Sequence, residues 1–183
     1  MCGIVGAVSL RNITPILIEG LRRLEYRGYD SAGVAVLADG NGIKRTRAVG
    51  KVAELEGALE RSPANGHLGI AHTRWATHGA PTTQNAHPHA TGEVAIVHNG
   101  IIENFASLRA ELLERGRVFE SETDSEIVAH LISEQVEEGR SPQDAVAQVL
   151  PRLRGAFALA ITFRSHPEIL IGARLGSPLV VGM

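Results

Sequence analysis

The sequence predicts an α+β fold, two β-sheets covered by helices, and two patterns carry that expectation. Seven short strand-like runs, at 3–10, 32–38, 42–49, 68–72, 93–98, 156–163 and 168–173, are bounded by Gly, Asn, Asp or Pro, and many are apolar on both faces. Helical patterns at 15–26, 52–61, 104–115, 124–138 and 142–154 lie between groups of these runs and do not alternate with single strands as in a doubly wound parallel sheet.

Four of the five helical patterns carry local marks. The first places Leu17, Leu21 and Leu24 on one stripe, the spacing that buries a helix face. Thr123 followed by Glu126 is the wording of a capping box, and Ser141 precedes Pro142 at a first helical position. Gly28, Gly116 and Gly139 each follow a last turn, where a residue free to adopt positive φ ends a helix.

Bulk properties narrow the class. At 183 residues and 44% hydrophobic, the chain suits one domain, 1–183, burying about 70% of its unfolded surface. A single cysteine excludes an internal disulfide and agrees with a reducing, cytoplasmic setting. Apolar runs are too short for a membrane-spanning helix or a signal peptide, and the net charge of -2 points to neither a nucleic-acid nor a membrane partner. The run Ser177-Pro178-Leu179-Val180-Val181-Gly182-Met183 ends apolar, which reads as a chain cut from a longer polypeptide.

That cysteine is Cys2. Removal of Met1 before a small residue leaves thiol and α-amine on one residue. A free thiol titrates near about 8.5 and an α-amine near about 8, so close to neutral pH the amine can take the thiol proton. Position alone favours an incidental cysteine, but the strand that follows fixes a terminus that would otherwise fray.

Further on, the segment AHTRWATHGAP, residues 71–81, sets Arg74, Trp75, Thr77 and His78 where a strand runs into a loop. Arg74 can grip a carboxylate bidentately and Trp75 can close over a ligand, or the two are a surface arginine and a core tryptophan. Asn99-Gly100 ends another strand, either as a hairpin turn or as an amide and a backbone N–H that together make an oxyanion hole. Asp124 stands at a helix start, where the dipole stabilises its charge; there it helps the helix and can also receive an ammonium. The eight histidines show no metal-ligand spacing, so no metal is expected, and neither a phosphate-cradling Gly-rich loop nor a GxGxxG sequence is found.

Six motifs in order then speak together: CGIVG at 2–6, LEYRGYDSAG at 24–33, HTRWATHG at 72–79, NAHPH at 85–89, HNGIIEN at 98–104 and SETDSE at 121–126. They resemble the glutaminase domain of the glucosamine-6-phosphate synthase family, also called glutamine–fructose-6-phosphate aminotransferases (isomerizing). These are class II glutamine amidotransferases of the N-terminal nucleophile hydrolase superfamily. The resemblance runs the length of the chain and implies a four-layer αββα sandwich.

It also implies roles. Cys2 would be the nucleophile, with its own amine as base, and Asn99 and the Gly100 N–H would stabilise the oxyanion. Arg74, Thr77 and His78 would bind the α-carboxylate of L-glutamine and Asp124 its α-amine, while Trp75 would belong to a covering loop. Arg27 and its Tyr-Arg-Gly-Tyr-Asp segment would support the terminus. Fructose 6-phosphate would be a partner only through an absent C-terminal sugar-phosphate isomerase part, and the full-length enzyme would be a homo-oligomer. Two other classes stay distinguishable by assay: a glutamine sensor binds glutamine without consuming it, and a metallohydrolase loses activity to chelators.

Overall fold

The computed structural model describes residues 2–38, 40, 42–76 and 79–182. Its strands form two four-stranded antiparallel sheets. The first sheet has the order β1-β4-β2-β3, from β1 (Gly3–Val8), β2 (Ser31–Ala38), β3 (Gly42–Val49) and β4 (Leu68–Arg74). The second has the order β5-β6-β7-β8, from β5 (His89–Ala90), β6 (Val94–Ile102), β7 (Gly155–Phe163) and β8 (His166–Leu175). Helices α1 (Thr14–Leu24) and α2 (Val52–Arg61) pack on the first sheet; α4 (Ser125–Glu137) lies on the second, flanked by α3 (Phe105–Glu114) and α5 (Pro142–Val149).

Three separate apolar cores show why this is a four-layer αββα sandwich. Ile13, Leu17, Leu21, Val34, Val36 and Leu55 fill the space between α1, α2 and the first sheet. Ile96, Leu112, Ile127, Leu131 and Ile161 do the same beneath α3–α5. Between the sheets lie Ala35, Ile70, Ala95, Val97 and Ala160. The period of two explains the partition: in β6, Ala95 and Val97 face the other sheet while Val94 and Ile96 face the helices. Each strand with both faces covered must therefore be apolar throughout, as the two-sided runs required. Three of these five inter-sheet residues are alanine.

Several boundaries shift. The first strand stops at Val8, leaving Leu10 exposed, and β4 continues two residues past 72 to Arg74. Helix α1 tightens after Leu24 into a 3₁₀ turn, Glu25–Arg27, and α5 does so after Val149 where Pro151 lacks an N–H. The Thr123–Glu126 capping box does not form. The Glu126 carboxylate accepts instead from the N–H groups of Glu120 and Ser121 and from the Ser121 hydroxyl, pinning the loop before α4. Ser141 caps as expected, accepting from the Asp144 N–H at 3.2 Å.

The largest revision concerns Asn99-Gly100, which neither turns the chain nor ends the strand. β6 runs through both residues to Ile102, paired with β7 from Val94↔Phe163 to Ile102↔Gly155. Gly100 adopts φ 130°, and a Cβ there would lie 2.0 Å from the Ala156 carbonyl oxygen, so the partner strand requires glycine at that point.

Candidate active site

The cleft that holds Cys2 opens at one end of the inter-sheet layer, with a volume of about 860 Å³. Period-two geometry brings its residues there. Cys2 lies in phase with Ile4 of β1, His72 and Arg74 with Ile70 of β4, and Asn99 with Ala95 and Val97 of β6, so all four share the inner layer. The pairing Gly3↔Thr73 then sets Cys2 beside the end of β4.

Cys2 is half-buried. Its Sγ accepts from the Trp75 N–H at 3.2 Å and lies 3.7 Å from the Trp75 carbonyl oxygen. Asn99 Nδ2 donates to the Cys2 carbonyl at 3.3 Å. Gly100 lines the same cleft.

Arg74 and Asp124 supply opposite charges to this wall. Arg74 is only 4% exposed; its guanidinium donates to the Gly79 and Ala80 carbonyls and lies 3.9 Å from Asp30. Asp124 is 6% exposed and precedes α4 without bonding to the helix's own N–H groups; its Oδ2 accepts from the Ile102 N–H at 2.8 Å. The simple capping role is thus absent, and the carboxylate ties the start of α4 to the end of β6. His98 Nδ1 lies 2.8 Å from the Ser125 hydroxyl, which donates to Asp124 Oδ1 at 3.4 Å.

Trp75 is half-exposed and its ring packs over Gly28, where a Cβ would come within 3.0 Å of it. Arg27 lines the cleft, its Nε donating to the Tyr26 hydroxyl at 3.0 Å. Thr77 and His78 lie outside the described residues. The site residues read from the sequence and described here, Cys2, Arg27, Arg74, Trp75, Asn99, Gly100 and Asp124, all border this one cleft.

Sequence reasoning gave no separate role to three further features. Asp30 accepts a hydrogen bond from the Ala76 N–H and, with Arg74, holds the loop after β4. His72 Nε2 lies 2.8 Å from Asn99 Oδ1. Ser177 to Val180 border the cleft as well. Asp30 carried a signal, since it stands in the motif at 24–33; His72 stood out only as one of many histidines.

Among the described residues, four of those eight histidines are internal. His72, His87, His89 and His98 are buried, and desolvation first of all pushes each below its ordinary value: His72 and His89 to about 3, His87 well down, His98 down despite nearby Asp124. Groups neutral in the fold but free to protonate when unfolded make stability rise with pH. Their contribution is complete above the unfolded value of about 6.5 and is lost as pH falls from there towards about 3, each at up to about 1.4 kcal/mol per pH unit. Urea midpoints should therefore fall steeply between pH 7 and pH 5; a flat profile would show that these imidazoles take up protons in the fold as readily as in the unfolded chain.

Residues 72–179 match the family model for a glutamine amidotransferase domain. The chain belongs to this family. Over its whole length it is 62% identical to glutamine–fructose-6-phosphate aminotransferase [isomerizing] from Zymomonas mobilis and 60% identical to the protein of that name from Bradyrhizobium diazoefficiens. It spans about 30% of the length of each of these curated relatives. Among solved structures, glutamine phosphoribosylpyrophosphate amidotransferase from B. subtilis superposes with a TM-score of 0.74 at 26% identity, covering 90% of this chain and 35% of that one.

Proposed function

We propose that the chain hydrolyses glutamine to glutamate and ammonia with Cys2 as the nucleophile. The observation that carries this reading is the convergence in one cleft of the thiol, a side-chain amide on the thiol-bearing residue, and a buried pair of opposite charges. Once Met1 is removed, the α-amine of Cys2 takes the thiol proton, and sulfur attacks the side-chain carbonyl carbon of glutamine. The C–S bond forms while the carbonyl electrons move to oxygen, and Asn99 Nδ2 with the Gly100 N–H receives that oxyanion. Collapse breaks the C–N bond; ammonia leaves with the proton held by the amine. Water then attacks the thioester, releasing glutamate and restoring the thiol. Neither step calls for a cofactor.

Arg74, with Thr77 and His78, binds the α-carboxylate and Asp124 the α-amine. The Trp75 loop covers the bound glutamine, and Arg27 supports the terminus. In the longer relatives the acceptor named is fructose 6-phosphate, and this chain within such a protein would deliver ammonia to it and yield glucosamine 6-phosphate. We place that protein, a homo-oligomer, in the cytoplasm; no helix among the described residues is long and apolar enough to cross a membrane.

Two experiments test the reading. Purified chain given glutamine should release glutamate steadily, form no glucosamine 6-phosphate, and show no response to fructose 6-phosphate; stimulation would place a sugar site within these 183 residues. Asn99→Ala should lower kcat by about 10²- to 10³-fold with a smaller change in KM, because the donor matters most as charge develops. A variant that loses binding but keeps turnover would move Asn99 to substrate positioning.

A further inference from the structure

We infer that His72 is a positioning residue that sets which end of the Asn99 carboxamide faces Cys2. This rests on the oxyanion role proposed for Asn99. The two side chains come from different sheets, His72 from β4 and Asn99 from β6, and meet across the inner layer at 2.8 Å.

The orientation follows from donors and acceptors alone. A backbone carbonyl oxygen only accepts, so the end of the amide facing the Cys2 carbonyl at 3.3 Å is the NH₂ group. Oδ1 then points to His72 Nε2. An amide oxygen also only accepts, so Nε2 must carry the imidazole proton. At the other nitrogen, the buried His72 Nδ1 meets no partner at hydrogen-bond geometry among the described residues, although the His98 backbone also lies close to the ring and favours its protonated form. Burial keeps the ring neutral, so Nε2–H is its single N–H.

The consequence is chemical. One Nδ2 hydrogen is held by the Cys2 carbonyl, and the second is left for an oxyanion forming at the thiol. With the His72 donor removed, the carboxamide can turn its oxygen towards the developing negative charge, which would oppose the reaction.

A double-mutant cycle on the active chain separates this from general support of the core. His72→Leu should lower kcat by about 10-fold or more with KM nearly unchanged, and in the Asn99→Ala background it should change kcat by less than about 2-fold. His72→Gln, which can donate from nearly the same point, should recover most of the rate. An equal loss in both backgrounds, or none in the parent, would overturn the proposal. If Asn99→Ala itself keeps full kcat, the reading of Asn99 fails, and the catalytic meaning of His72 fails with it. Nitrogen NMR of the His72 ring gives a readout independent of turnover and of mutant folding. The Nε2–H tautomer is expected at neutral pH, and the Nδ1–H form would overturn the assignment.

Discussion

Cys2→Ala should lower glutamate release by about 10⁴-fold or more, because no other group can form the thioester. The fold should survive. The β1–β4 ladder begins at Gly3, and the thiol's hydrogen bonds among the described residues are the two with the Trp75 backbone. Arg74 and Asp124 keep their own supports, so glutamine should still bind. Release measured by coupled glutamate assay, beside calorimetric titration with glutamine, separates the chemical loss from a binding loss. Release near the parental rate would remove Cys2 from the mechanism.

The second large effect is expected at Asp124. Asp124→Asn keeps an oxygen for the Ile102 N–H, so the junction between β6 and α4 should persist. It removes only the charge, and the substrate ammonium is then buried without a counter-charge, a loss of about 2–5 kcal/mol, or roughly 30-fold to several thousand-fold in kcat/KM. Glutamine without its α-amine should be nearly as poor a substrate for the parent as glutamine is for the variant. Free acceptance of that analogue by the parent would assign Asp124 to the fold alone. Arg74→Ala is a less clean test of the same idea, since Arg74 also holds the Gly79 and Ala80 carbonyls.

How much of this was legible in the sequence depended on whether the signal was local. The layer order followed from grouped strands that are apolar on both faces, since a strand such as β6 must satisfy a core on each side. Ser141 was readable because a cap and its helix are neighbours in sequence. Thr123 and Glu126 had the same local wording, yet tertiary partners won: Glu126 serves the loop at Glu120 and Ser121, and Thr123 bonds to His89. Asn99-Gly100 failed as a turn because the pairing partner, β7, lies more than fifty residues away and imposes an extended path through a glycine. The site's membership was visible in motifs, whereas the cross-sheet bond between His72 and Asn99 was not. It depends on two strands from different sheets being in phase, which no single segment records.

The central claim is that a terminal cysteine bearing its own free amine does the chemistry, and intact-mass measurement tests it most directly. Chain prepared with and without Met1 is incubated with a glutamine analogue whose side-chain amide is replaced by an electrophilic diazoketone. Chain lacking Met1 should gain one adduct, located by fragmentation on Cys2 and suppressed by glutamine, while chain retaining Met1 should stay unmodified and release no glutamate. Equal labelling and turnover by the Met1-bearing chain would contradict the account.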